Sequence, residues 1–343
     1  MRVTFWVSTG TRPVGGVKAI FEFANGLQRL GHTVNLVHFE FAGHSVDAAD
    51  DIEWFDIHPG IRQLFIREGD GQSLPDADFI FPYHEVFPRA VGLPLNLVQG
   101  YRMMPPAMER ALYVAPCPKI CIAKWLVGVG RELGVPDEQL VYVPNGIDHS
   151  TFRLVHPLEG RAPVVAMLHH THAMKGTAFG LEALALAKER VPEMTVLLFG
   201  TRDAPRGLPP WMHAVKSPPL ETLVAEIYNR SRVFVCPSIV EGFGLPSIEA
   251  MAGGCALATT DNGGSDDFAI PGESALVSEP KNVAQLADHI VALLSDDELR
   301  LRLARRGLEV VRGFDWDRSS ELLAAFLDEY RAAPDRYGQS VSS

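Results

Sequence analysis

Cys236-Pro-Ser-Ile-Val-Glu-Gly-Phe-Gly-Leu-Pro-Ser-Ile-Glu-Ala-Met-Ala-Gly-Gly254 is the stretch whose reading decides the fold. The apolar run Val233-Phe234-Val235 before it predicts a buried strand, and Ser247–Ala252 predicts a helix. Pro246 suits the first helical position, where a missing N–H costs nothing. Gly242 and Gly244 let the backbone approach a ligand closely. The N–H groups of Phe243, Gly244 and Leu245 at the helix start form an anion site. Glu241 stands just before the turn, and Glu249 follows eight residues later inside the helix. An anion cradle flanked by two carboxylates suits a ligand with both phosphate and hydroxyls, such as a nucleotide-sugar. A strand–turn–helix is also common among α/β proteins, and Glu249 alone would serve as a partner for the helix dipole.

The full string Glu241-Gly-Phe-Gly-Leu-Pro-Ser-Ile-Glu-Ala-Met-Ala-Gly-Gly254 resembles the E-x7-E signature of retaining, family 4-like glycosyltransferases of the GT-B fold. That resemblance implies an α/β chain of two Rossmann-like domains facing a central cleft. It implies transfer of a sugar from a nucleotide-diphosphate donor with retention of anomeric configuration. Glu249 would then take the ribose hydroxyls and Glu241 those of the donor sugar, while backbone near Val215–Ser217 reads the base. A GT-B epimerase or phosphorylase, or an inactive nucleotide-sugar-binding relative, shares the same implications for fold.

Outward from that stretch, the segments fall in an order that supports the resemblance. Val3–Val7 reads as a first parallel strand. Gly15-Gly16 opens a helix in which Val17, Ile20, Phe21, Ala24, Leu27 and Leu30 recur at helical spacing. Thr33–Val37, Ile52–Ile57, Phe79–Tyr83 and Leu95–Val98 are expected to be strands. The glycines do not form G-x-G-x-x-G, which disfavours a dinucleotide dehydrogenase. In the resembled family a Gly-Gly here brings N–H groups to the donor diphosphate. Gln99-Gly100-Tyr101 falls at the carboxyl end of a strand, where open α/β sheets place ligands. Gln99 and Tyr101 resemble a Val-Gln-x-Tyr pattern of rhamnosyltransferase-like members and are candidates for the acceptor or sugar side. A core or loop role serves them equally well.

Val143-Pro-Asn-Gly-Ile-Asp-His-Ser-Thr-Phe152 resembles the interdomain segment of the family. Val164–Leu168 then starts a second βα series. In the family a Gly-Arg precedes the Lys-Gly of this loop. Lys175-Gly176 matches, whereas His169 and His170 occupy the Gly-Arg positions. Lys175 is therefore expected to stabilise the departing diphosphate, with His170, when protonated, sharing that task. The expected domains are 1–155, completed by a C-terminal helix at 315–332, and 160–312, with a polar tail at 334–343.

Composition narrows the rest. The 343 residues suit about two domains. A net charge of −11 argues against nucleic acid as partner. Four cysteines without metal-site spacing read as reduced thiols. Met1–Val7 runs straight into a strand pattern, and no apolar run approaches the ~20 residues of a membrane helix. A cytoplasmic protein is the expectation, with peripheral contact at the inner face of the membrane left open. Asp76-Ala77-Asp78 has metal-motif spacing but precedes a strand rather than following one. The histidines at 169, 170 and 172 lack a nearby carboxylate or cysteine in sequence. No metal and no cofactor are expected. The expected partners are a nucleotide-sugar donor and a hydroxyl-bearing acceptor, whether glycan, glycolipid or small molecule.

Overall fold

A computed structural model describes residues 1–39, 47–66, 75–82 and 92–338. The chain divides into two compact units, 1–146 with 316–343, and 147–315. Both are parallel α/β layers, in which successive strands of one sheet are joined by crossovers too long for a hairpin.

In the first unit β1 (Arg2–Val7), β2 (Thr33–Phe39), β3 (Arg62–Ile66), β4 (Phe79–Phe81) and β5 (Leu93–Pro94) form one sheet in the order β3-β2-β1-β4-β5. β6 (Asn96–Val98), β7 (Lys119–Cys121) and β8 (Leu140–Tyr142) form a second, also parallel. One extended segment serves both sheets. Leu95 N–H bonds the carbonyl of Ile80 at 2.9 Å, while Asn96 N–H bonds that of Pro118 at 2.9 Å. The helices are α1 (Gly15–Arg29), α2 (Pro106–Val114) and α3 (Lys124–Glu132). The C-terminal helix Trp316–Ala332 belongs to this unit. Trp316 sets its ring edge-on to Phe23 of α1 at 5.4 Å, and Tyr330 lies 5.8 Å from Phe79.

Several expectations change here. Ile52–Ile57 is not a strand. Its aromatic residues cover α1 instead: Trp54 and Phe55 lie 5.6 and 5.2 Å from Phe21. Trp54 Nε1–H also bonds the Gly10 carbonyl at 3.0 Å. The sheet is extended by Arg62–Ile66, whose pairing with β2 the sequence pattern did not announce. Tyr83 lies outside the described residues, as do 339–343. The start of the expected polar tail is not free: Tyr337 is buried and packs edge-on against Phe326 and Tyr330 at 5.4 and 5.2 Å.

In the second unit β9 (Val164–Leu168), β10 (Thr195–Gly200), β11 (Met212–Lys216), β12 (Val233–Cys236), β13 (Ala256–Thr260) and β14 (Ala275–Ser278) form a parallel sheet in the order β11-β10-β9-β12-β13-β14. This is the doubly wound Rossmann arrangement, with its switch point between β9 and β12. Its helices are α4 (Thr177–Arg190), α5 (Leu220–Thr222, continued by a π-helical turn Leu223–Tyr228), α6 (Leu245–Ala252), α7 (Val283–Ser295) and α8 (Asp297–Val311). Central strands buried on both faces read as unbroken apolar runs. Val233–Cys236 and Ala256–Thr260 are buried throughout. Val165, Val196, Val233, Leu184, Ile290 and Leu303 share one core, each buried side chain contributing about 1.5–3 kcal/mol of transfer free energy. Residues 147–155, expected in the first domain, belong to the second unit. Ile147 N–H bonds the Phe314 carbonyl at 3.3 Å, and Val155 N–H bonds Asn229 Oδ1 at 2.6 Å.

Candidate active site

Ligands of open parallel sheets sit beyond the carboxyl ends of the strands at the switch point. In the second unit those ends carry the loops after β9 and β12, which hold Lys175 and Glu241. The two loops are stitched together. Ile239 N–H bonds the Met174 carbonyl at 2.7 Å. Gly176 takes φ 63°, and a Cβ there would lie 2.0 Å from the Pro237 carbonyl oxygen. A glycine is required at that position both for the left-handed backbone and for the close approach.

This stitching brings the candidates together. Lys175 Nζ donates to Glu241 Oε2 at 2.6 Å, and Ser238 Oγ donates to Glu241 Oε1 at 2.7 Å. Glu241 is only 6% exposed, whereas the Lys175 side chain keeps 27% of its surface. A carboxylate so far out of water needs its partners, and here both oxygens have one. The Glu241 backbone is fixed as well, its N–H bonding the Asn262 carbonyl at 3.0 Å. Asn262 Oδ1 in turn accepts the Ser265 N–H at 3.0 Å, and Thr260 Oγ1 donates to the Ser238 carbonyl.

From Glu241 the chain turns through Gly242, Phe243 and Gly244 into α6. Phe243 is buried, with its ring 5.5 Å from Phe268 and 5.7 Å from Phe314. Gly244 takes φ 92°, the left-handed conformation from which Leu245 begins the helix. Pro246 occupies the second position of α6 rather than the first. Neither residue disturbs the helix, since N–H groups of the first turn have no intrahelical partner. Glu249 is buried in the second turn of α6, where its Oε2 accepts the Tyr228 hydroxyl at 3.3 Å. Tyr228 is a partner the sequence pattern did not reveal. It ends the π-helical turn, and its side chain is directed by packing between Phe199 and Phe234.

His170 behaves otherwise than expected. Burial first, and then the charges of Lys175, His172 and Arg202, push its protonation below the ordinary range. Its Nδ1 accepts the His172 N–H at 2.9 Å, which leaves the proton of the neutral ring on Nε2. It offers a hydrogen-bond donor rather than a second cation. His169 is buried, and its own N–H bonds the Phe199 carbonyl at 2.8 Å. Arg202, on the loop after β10, is the nearby guanidinium that sequence reading passed over.

The first-unit candidates also meet. A Cβ on Gly16 would lie 3.1 Å from Gln99 Oε1, so the start of α1 and the loop after β6 touch. Gln99 Oε1 is buried without a hydrogen-bond partner. Gly15 opens α1 itself. Tyr101 stands edge-on to Tyr113 at 5.6 Å. The loop that follows is pinned by buried Glu109, which accepts N–H bonds from Arg102, Met103 and Met104 at 2.9, 2.7 and 2.9 Å.

Asp78 accepts the Arg2 N–H at 2.8 Å and its guanidinium at 3.3 Å, a structural use of the Asp-x-Asp. Among the described residues no three His, Cys, Asp or Glu side chains converge as a metal site would require. The four cysteines are buried free thiols. Among the described residues no helix is long and apolar enough to cross a membrane.

Comparison with known proteins agrees with this geometry. Residues 148–310, nearly all of the second unit, match the family described as Glycosyl transferases group 1. The chain is similar to sucrose-phosphate synthase from Thermosynechococcus elongatus, with TM-score 0.77 and 18% identity over 97% of this chain and 99% of that one. It is also similar to HepE from Anabaena in complex with UDP and glucose, with TM-score 0.73 and 16% identity over 96% and 100%. The fold is GT-B, two Rossmann-like domains, as the Glu241–Gly254 string implied. Among curated proteins, D-inositol 3-phosphate glycosyltransferase of Corynebacterium efficiens is 30% identical over 50% of this chain and 44% of that protein. O-antigen chain mannosyltransferase B of Escherichia coli is 33% identical over 34% and 29%. The aligned stretch thus spans less than half the length of each of these two relatives.

Proposed function

We propose that this protein transfers a sugar from a nucleoside-diphosphate sugar to a hydroxyl group, with retention of anomeric configuration. The observation that carries this reading is the pairing of Lys175 with Glu241 at the switch point, beside the start of α6. The chemistry requires a place for the negative charge that develops on the departing diphosphate. Preorganised donors and cations supply that stabilisation without reorganising. The first N–H groups of α6 are such donors, and Lys175 is the cation beside them. His170 adds a neutral Nε2–H donor. Glu249 takes the ribose hydroxyls and Glu241 the donor sugar's hydroxyls.

No side chain is needed as nucleophile in this scheme. The leaving phosphate accepts the acceptor's proton on the same face. The donor class is supported by the UDP and glucose of HepE, a protein of the same fold. The acceptor is a hydroxyl-bearing glycan, glycolipid or small molecule, and Gln99 and Tyr101 are its candidate contacts. The reaction uses no metal and no cofactor. A thermal-shift panel of nucleotide-sugars tests the reading, since a ligand that binds the folded state alone raises its stability by mass action. One member raising the melting temperature, followed by release of its nucleoside diphosphate with acceptor, is the expected result. No shift from any member overturns it.

A further inference from the structure

The cation assigned to the diphosphate already has a partner. Lys175 Nζ lies 2.6 Å from Glu241 Oε2. The same carboxylate, on the above reading, receives the sugar. We propose that Glu241 masks Lys175 until a donor sugar binds, and that the sugar's hydroxyls take over Glu241 as Lys175 passes to the diphosphate. This rests on the proposed function and adds to it a device that couples sugar recognition to leaving-group activation.

Three features carry the argument. Glu241 is held from the side away from Lys175, by Ser238 Oγ on Oε1 and by its own N–H on Asn262. The carboxylate is therefore the fixed member of the pair. Lys175 is the movable one: it is the more exposed, at 27%, and ends a long flexible stem on a short turn, Ala173–Lys175. Finally, a carboxylate buried to 6% exposure cannot lose Lys175 without gaining another donor. Sugar hydroxyls are such donors. A free nucleoside diphosphate has no sugar to offer Glu241. It must take Lys175 and leave the carboxylate short of a partner, or bind without the cation. The intact donor meets both demands at once. Ser238, which orients the Glu241 carboxylate, is a positioning residue in this scheme.

The test is calorimetric titration of the full chain with UDP, GDP, ADP and dTDP. Glu241→Gln keeps the shape and removes the charge that holds Lys175. It is expected to tighten the nucleoside diphosphate that binds by about three- to tenfold, the scale of releasing a partly exposed ion pair. In a Lys175→Met background the same substitution should change that affinity less than twofold. Unchanged or weaker binding in Glu241→Gln overturns the masking. So does tightening that persists with Met at 175, because the gain would not then pass through the cation. Ser238→Ala guards against a folding artefact: it leaves the charge but removes its other donor, so Glu241 should hold Lys175 more firmly and binding should weaken, with Ser238→Thr restoring the wild-type value. Wild-type protein that binds none of the four nucleotides overturns the function proposed above, and the masking with it. Binding without the expected tightening overturns the masking alone.

Discussion

Replacing Lys175 by Ala should separate the two tasks of this side chain. In the proposed chemistry it is the cation at the leaving diphosphate, and losing one such charge stabiliser typically costs about 100- to 1,000-fold in turnover. In the fold it is the partner of a carboxylate only 6% exposed. Removing one member of a fully buried pair costs about 3–5 kcal/mol. Lys175 keeps 27% of its side-chain surface, and Glu241 retains Ser238, so about 1–3 kcal/mol is the appropriate range. At roughly 2–4 °C per kcal/mol for a domain of this size, the melting temperature should fall by several degrees. Adding Glu241→Gln should recover most of that loss, because the buried charge disappears with its partner. It should recover none of the turnover. Steady-state transfer kinetics and scanning calorimetry on the single and double variants read both quantities. Near-wild-type turnover in Lys175→Ala would remove it from the mechanism. A double variant as unstable as the single one would refute the account of Glu241 as an orphaned charge.

Four further outcomes are expected. Glu249→Ala should weaken the cognate nucleoside diphosphate by about 10- to 100-fold, the worth of a charge-assisted hydrogen bond, and isothermal titration showing wild-type affinity would place the ribose elsewhere. Gly176→Ala should cost at least about 2 kcal/mol, combining left-handed strain with a Cβ driven 2.0 Å from the Pro237 carbonyl; chemical denaturation at wild-type midpoint would contradict the close approach. Asp266 has its carboxyl pushed up from 3.8 to about 6, by burial first and then by Asp261 and Asp267. The folded state therefore holds its proton more tightly than the unfolded one, and stability drops as pH rises through that window. Because the carboxyl is drawn toward the protein while the residue keeps an exposed surface, solvent screening cuts the effect to about 1 kcal/mol, so Asp266→Asn should raise stability at pH 8 by up to that amount and leave it unchanged at pH 3. Transfer activity should survive excess EDTA; loss restored by Mg²⁺ or Mn²⁺ would bring back the histidine cluster or Asp76 and Asp78.

Much of this protein was legible in the sequence, wherever spacing along the chain is itself the physical cause. Apolar residues three and four apart make the inner face of α1, and a short unbroken apolar run makes a strand covered on both sides. Thus β9 and the β12–turn–α6 stretch fall where the pattern puts them. The glycines and carboxylates of Glu241–Glu249 are local too, because a turn and a helix fix their geometry within nine residues. Ile52–Ile57 failed for the opposite reason. Its aromatics are apolar in order to cover α1, and apolarity alone does not say whether a segment pairs or packs. Only the tertiary structure decided what these residues meet. Lys175 and Glu241 are 66 positions apart. They touch because right-handed crossovers order the strands so that β9 and β12 become neighbours, with their carboxyl ends on one edge. The same long-range packing half-buries His170, which disfavours its protonation, and sets Tyr228 on Glu249. Sequence specified the parts by short-range periodicity; which charges pair, and which are masked, follows from sheet order and burial, which no local spacing encodes.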